Sequence, residues 1–293
     1  MNRFLPRFDA YISTEGTDGL KNSISHSEGE DDLAISTQPV DLEKNSNIGQ
    51  ECQVSTPVVS PLTYAQIPTA AETIWDAFEW DVFSWYMDGR NGTEPAPKRA
   101  AFQKWISYLG LWYYITRRIA LQIAAAHSVT VIYPPPKASR KRTLIEWLID
   151  TLAEMIGFIV FLLQPKIAQK RAKDFSDQKN KIAGEHFGEK VDEMFYVHVI
   201  ATSPSYQGRG HGGALMDSIA RIADRVGKDG WLISSGPHNV PFYKFHGYES
   251  VGQIRMGKND LLWFKGEIVC DVMVRKSRKV FQNQFSDSGV DKI

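Results

Sequence analysis

The run from Met194 to Met216, MFYVHVIATSPSYQGRGHGGALM, joins an apolar strand to a glycine-rich turn and then to the opening of a helix. These residue types at this spacing suit a diphosphate. Glycines at 208, 210, 212 and 213 let the backbone approach a ligand with no Cβ in between. The first unpaired N–H groups of the helix, at the positive end of its dipole, favour an anion. Two common phosphate loops do not fit. A Walker A loop needs Gly-Lys-Ser/Thr where this chain has Gly212-Gly213-Ala214, so the phosphate-binding lysine and the magnesium-binding hydroxyl are missing. Gly208, Gly210 and Gly213 satisfy the dinucleotide pattern G-x-G-x-x-G, but Pro204-Ser205-Tyr206-Gln207 separates them from the strand. The next strand, Trp231 to Ser234, runs into Ser235-Gly236-Pro237 where that motif needs an acid.

A third pattern, Gln/Arg-x-x-Gly-x-Gly/Ala, is matched by Gln207, Gly210 and Gly212. It resembles the acetyl-CoA loop of the Gcn5-related N-acetyltransferases, the GNAT superfamily. Downstream, Asn239 to Tyr248 resembles that family's N-x-x-x-Y-x-x-x-G-[FY] segment, in the right order after an intervening helix and strand. The strand ending in Pro134-Pro135-Pro136 resembles the corresponding strand of fungal-type members. The resemblance implies an α+β, three-layer GNAT acyl-CoA N-acyltransferase fold: a mixed, twisted sheet flanked by helices, with CoA wedged where two central parallel strands diverge. It also implies acetyl-CoA as co-substrate and acetyl transfer to a primary amine.

Such a transfer needs an amine that is neutral at attack, a donor to the carbonyl oxygen and a proton for the departing thiolate. His198 is a candidate base, because an imidazole ordinarily titrates near working pH, and aralkylamine acetyltransferases carry a histidine at the corresponding strand position. Its alternative is a hydrogen-bonded core histidine. Strand alternation places Tyr196, His198 and Ile200 on one face, so Tyr196 is a candidate for orienting a water. By resemblance, Tyr243 faces the CoA sulfur as general acid, the alternative being a packed tyrosine. Asn239 either contacts the pantetheine arm or caps the following helix. Ile200, Ala201 and Thr202 would pair with pantetheine through the main chain. Gln207, Gly208, Arg209, Gly210, His211, Gly212 and Gly213 would surround the pyrophosphate, with the Arg209 side chain adding charge. His127, His186, His238 and His246 show no partner pattern, and no metal-ligand spacing is present. Two other classes stay open: a CoA-binding domain without turnover, which needs neither His198 nor Tyr243, and a dinucleotide oxidoreductase, which lacks its acid.

The elements that position these groups come from the rest of the chain. Its 293 residues, 43% of them hydrophobic, suffice for a sizeable core. Lysines and arginines (34) equal acids (34), so no field draws nucleic acid. Cys52 and Cys270 form neither a disulfide framework nor a metal set, and no continuous apolar stretch opens the sequence. The expected compartment is the cytoplasm, or the nucleus. Residues 1–62 are expected to form a disordered polar tail, 63–277 the GNAT domain with a helical insertion at about 137–190, and 278–293 a second polar tail. Ile74, Trp75, Phe78, Val82 and Trp85 recur at helical spacing, predicting an amphipathic helix or kinked pair that packs on the sheet or contacts the acceptor. Phe102 to Ala126 reads as one buried helix, and His127 to Tyr133 as a strand. Leu144 to Leu163 is expected to be buried or pocket-lining, with membrane-surface contact or an acceptor channel as alternatives. Glu146, Asp150 and Glu154 leave it too short an uncharged stretch to span a bilayer, so no transmembrane segment is expected. Residues 166–193 read as a solvated connector. Leu215, Met216, Ile219, Ile222 and Ala223 predict a helix ended by Gly227, followed by a short strand, a short helix and terminal antiparallel strands. The aromatic first helix and the apolar 144–163 segment favour a small-molecule hydrophobic amine over a protein lysine as acceptor.

Overall fold

The computed structural model describes residues 57–93, 101–136 and 143–278. Among the described residues, seven strands form one sheet: β1 (Ser60–Pro61), β2 (Ile119–Ile123), β3 (Ser128–Tyr133), β4 (Phe195–Thr202), β5 (Gly230–Ser234), β6 (Glu249–Met256) and β7 (Ile268–Arg275), in the order β1-β2-β3-β4-β5-β7-β6. Only β4 and β5 pair in parallel; the others pair antiparallel. The helices are α1 (Ile67–Phe78), α2 (Val82–Met87), α3 (Ala101–Arg117), α4 (Leu144–Leu163), α5 (Lys166–His186), α6 (His211–Arg225) and α7 (Val240–Phe245). This is the expected mixed sheet flanked by helices. The expected polar tails lie largely outside the described residues, but the folded chain starts earlier than residue 63. Ser60 and Pro61 pair with Gln122 and Leu121, and Leu62 is buried.

Both sheet faces are covered. On one, Leu215, Met216, Ile219 and Ile222 of α6 pack against Ile119, Leu121, Ile132, Phe195 and Val197. The opposite face is shared. Leu111 and Ile115 of α3, with Ala70 and Ala71 of α1, cover Val129, Val131 and Ala201. Trp85, Tyr86, Ile182 and Ala183 from α2 and α5 cover Ile254, Cys270 and Val272. The aromatic stripe is therefore a kinked pair, α1 and α2, and Asp81 caps the second member by accepting from the Ser84 amide.

Four local expectations are corrected. The single helix over Phe102 to Ala126 is a helix followed by β2 and a tight turn. Ala124, Ala125 and Ala126 all have positive φ (54°, 53° and 73°), a conformation that alanine rarely adopts and that helical propensity gives no reason to expect. Side chains hold the turn there: Gln122 accepts from the Ala126 amide (2.8 Å), and Thr73 Oγ1 donates to the Ala126 carbonyl (2.8 Å). Secondly, the register between β3 and β4 shifts, since Val131 faces Val199 while its neighbour Ile132 faces Val197. His198 is thus the extra residue of a β-bulge, and alternation breaks there. Ile200 turns to the α6 side with Phe195 and Val197, while Val199 and Ala201 join Tyr196 on the other. Thirdly, residues 166–193 are no solvated connector. Ala168, Arg171 and Ile182 of α5 are buried, at a spacing that puts them on one helix face. Lastly, α4 is neither buried nor chiefly pocket-lining: Asp150 is its only fully buried side chain.

The inward face of α4 is polar. Asp150, 2% exposed, receives Arg117 Nε at 3.1 Å and Nη2 at 3.2 Å, and Tyr113 donates its hydroxyl to the same carboxylate at 3.2 Å. Arg117 also reaches Glu146 at 3.0 Å, and these partners raise its pKa against the lowering effect of burial. Removing one partner of a buried pair leaves an uncompensated charge. Asp150→Ala is expected to cost roughly 3 kcal/mol, read as a lowered denaturation midpoint. A loss within ~0.5 kcal/mol of Leu152→Ala, an exposed position on the same helix, would refute the anchoring role of the pair.

Candidate active site

β4 and β5 run together for only three pairs, Phe195↔Gly230, Tyr196↔Trp231 and Val197↔Leu232. β4 then continues to Thr202 and β5 to Ser234 without pairing to each other, so the strands part between two otherwise continuous half-sheets. The β5-facing main-chain groups of His198 to Thr202 are left for another partner. A cavity of about 1310 Å³ occupies this region, larger than the common pocket for one drug-sized ligand. It is lined at one end by the glycine turn and along its length by Tyr196, His198, Ile200, Ala201, Thr202, Asn239 and Tyr243.

The glycine turn has a geometry that suits an anion. After β4, a single 3-10 turn at Pro204–Tyr206 leads to Gly208 and Gly210, both left-handed at φ 75° and 77°. Gly210 is the N-cap of α6, and the first bond across it is from the Ala214 amide to the Gly210 carbonyl at 3.0 Å. The amides of His211, Gly212 and Gly213 precede that bond and have no partner within the helix. A Cβ at Gly212 would come within 3.3 Å of the Phe242 ring. Gln207, Gly208, Gly210, His211, Gly212 and Gly213 all line the cavity. The Arg209 side chain does not: it donates to the Ser205 carbonyl at 2.9 Å and lies over the Tyr206 ring. Behind the cradle, His127 stacks on Tyr206 at 4.1 Å, the Ser203 amide donates to the His127 carbonyl, and Ser128 Oγ lies 2.9 Å from His211 Nδ1. Thus the alanine turn braces the loop.

Asn239 stands at the N-cap of α7 yet makes no side-chain capping bond, so the capping alternative does not hold. Its amide lies 3.4 Å from Ser235 Oγ. Tyr243, on α7, is buried, and burial pushes its hydroxyl up to about 12, so it keeps its proton across the neutral range. Tyr196 is also pushed upward, first by burial and then by Tyr243. The bulge aims His198 into an aromatic box. Tyr133 stacks on its ring at 5.0 Å, Tyr196 lies 6.1 Å away, and the Tyr114 hydroxyl is 3.1 Å from Nε2. Burial, followed by the positive charges of Lys179 and Arg118, lowers its pKa to about 4. One edge borders the cavity, but the ring lies deep enough for desolvation to dominate. The expectation that His198 titrates near working pH is thereby corrected; it is neutral there, with one acceptor nitrogen, and is a weaker base than a free imidazole.

Residues 147–250 match the family model described as "Acetyltransferase (GNAT) domain". The fold is the GNAT acyltransferase fold. Arylalkylamine N-acetyltransferase 2 from Aedes aegypti superposes with a TM-score of 0.51 at 13% identity, covering 76% of this chain and 100% of that one. A Drosophila melanogaster polyamine N-acetyltransferase, described as forming N-acetylagmatine, matches at 14% identity over 75% of this chain and 100% of its own, with a TM-score of 0.42. Family match and fold together support an N-acetyltransferase. The remaining sheet pairs are antiparallel and β5 leads into Ser235 and Gly236, which removes the doubly wound dinucleotide alternative.

Several residues that surround His198 have no signal of their own in the sequence. Tyr114 and Arg118 fell inside the over-long helix, and Tyr133 was treated only as a strand end. The Arg118 guanidinium lies 4.8 Å from the Tyr133 ring and donates to the Tyr113 hydroxyl at 2.8 Å. Only the density of tyrosines before and within these strands signalled the box. A depressed histidine pKa has a stability consequence. Between about pH 6.5 and about pH 4 the unfolded chain holds a proton on His198 that the folded chain does not, so stability present above that window is lost as pH falls through it. The loss amounts to up to about 3 kcal/mol. Denaturant titrations from about pH 7 to about pH 5 are expected to show a smaller loss for His198→Phe than for the unaltered protein. Equal losses would contradict the buried, neutral state of His198.

Proposed function

We propose that the protein is an acetyl-CoA-dependent N-acetyltransferase that acts on a small-molecule primary amine. The observation that carries this reading is continuity: one cavity runs from the glycine cradle, through the gap between β4 and β5, to His198, Tyr196 and Tyr243. The helix-terminal amides suit a pyrophosphate, and the unpaired edge of β4 suits the amides of a pantetheine arm. Such a ligand, when bound, supplies the acetyl group as a thioester. Transfer to an amine forms an N–C bond, breaks the C–S bond, releases a proton from nitrogen and leaves a thiolate.

The residues divide these tasks. Tyr243, protonated at neutral pH, donates to the developing thiolate. His198, neutral at neutral pH, accepts the proton from nitrogen, directly or through a water held with Tyr196. Its low basicity favours an amine that arrives already neutral, so turnover should climb with pH until deprotonation of the ammonium form is complete. The acceptor end supports a hydrophobic amine. Phe83 and Phe175, 5.3 Å apart, join Met87, Phe161 and Trp80 in the wall, and Asp81 and Asp88 bracket α2 beside them.

Acetyl-CoA and CoA at about a hundred times their Kd should each add roughly 2.7 kcal/mol of stability, seen as a raised melting temperature. Gly210→Glu and Gly212→Glu should abolish the rise; its absence in the unaltered protein would end the acyl-CoA reading. Among amines that are turned over, Tyr243→Phe should lower kcat by about 10²-fold or more with little change in the CoA shift. A CoA-binding domain without turnover would keep the shift and show no acetylation in either form.

A further inference from the structure

The α4 helix is amphipathic with its faces reversed. On a wheel of 100° per residue, Leu144, Ile145, Trp147, Leu148, Leu152, Met155, Phe158, Ile159, Leu162 and Leu163 fall within an arc of about 160°. All ten are exposed, Leu144 at 73% and Leu163 at 67%. Glu146, Asp150 and Glu154 fall within about 80° of the remaining circumference. Glu146 and Asp150 point inward, onto Arg117 and Tyr113. A solvated helix on a soluble domain places these faces the other way round. The ion pair to Arg117 therefore fixes a helix about 30 Å long with its apolar stripe outward. The same pair ties α4 to α3, which adds exposed Trp105, Leu109 and Trp112.

We propose that this face docks on an anionic lipid surface, with α4 lying in the plane of the interface. Charge complementarity selects that occupant. Lys137, Arg140, Lys141 and Arg142 precede α4 in the sequence, and exposed Lys166 and Lys170 follow it. Lys166 and Lys170, exposed beyond the end of the apolar stripe, meet headgroup phosphates while the stripe enters the acyl boundary. Exposed Trp105, Trp112 and Trp147 are the side chains that favour this depth. No described helix is long and apolar enough to cross a membrane, which fits a helix that lies on one. Phe161 and Gln164, at the C-terminal end of α4, line the cavity, so docking would bring its acceptor end to the lipid.

The test is co-sedimentation of the full chain with phosphatidylcholine vesicles, with and without phosphatidylserine. Binding is expected with phosphatidylserine and several-fold weaker without it, together with a blue shift of tryptophan fluorescence. Leu148→Glu, Leu152→Glu and Ile159→Glu should each weaken partition by ~tenfold or more. These positions are exposed and outside the cavity, so an unchanged melting temperature shows that the variants fold. Failure of the unaltered protein to sediment with either vesicle, or equal sedimentation of the triple variant, overturns the proposal. A dimer in light scattering that the triple variant abolishes, without vesicle binding, would assign the face to a second copy instead. None of these readouts depends on acetyl transfer.

Discussion

The parting of β4 from β5 after Val197 is the constraint on which the rest of the molecule depends. A sheet that opens leaves main-chain donors and acceptors unpaired, and these must be satisfied by water or by a ligand. The fold tolerates the gap because the two halves are independently covered. One core lies under α2 and α5 against β6 and β7, another under α1 and α3 against β3 and β4. The α6 core spans the seam, with Phe195, Val197, Leu232 and Met273 sharing one cluster. The start of α6 lies at the mouth of the same gap. The cradle, the open edge and the candidate catalytic side chains are thus three consequences of one topological decision.

Desolvation then sets the chemistry of what lines the gap. It pushes tyrosine hydroxyls towards keeping protons and the histidine towards losing one, so burial moves Tyr243 and His198 in opposite directions from their ordinary values. A pair separated in this way is ready to donate at one point and accept at another at the same pH. In the proposed reaction the cost is weak basicity at His198, which would transfer part of the burden of deprotonation to the acceptor.

The glycine turn, the helix after it and the Asn239 to Tyr248 segment were legible because their signals are local: glycine spacing, 3.6-residue periodicity and fixed motif offsets. The three-alanine turn was not, since alanine favours the right-handed helix and two side chains, Gln122 and Thr73, hold it otherwise. Nor was the outward apolar face of α4. Its pattern is that of any amphipathic helix, and which side faces inward depends on Arg117 of another helix. Buried Ala168, Arg171 and Ile182 are masked in the sequence by the surrounding lysines of α5, whose charge density outweighs the spacing of three inward positions. Tyr114 beside His198 joins residues 84 apart and has no local signature.

The bulge at His198 carries a further consequence. A strand has parity: each residue is odd or even with respect to the sheet, and only the insertion or removal of a residue changes that assignment. Substitutions at 198 can alter the chemistry while Ile200 stays under α6 and Ala201 stays over the opposite core. Because 198 is the extra residue, its deletion would set Val199 directly after Val197 and restore plain alternation, with Ile200 still under α6 and Ala201 still over the opposite core, and would remove only the bulge that aims a side chain into the aromatic box. The candidate base is thus the one residue of β4 that the alternation of the strand does not count, so the packing of both faces places no demand on it and leaves position 198 to the chemistry of the gap.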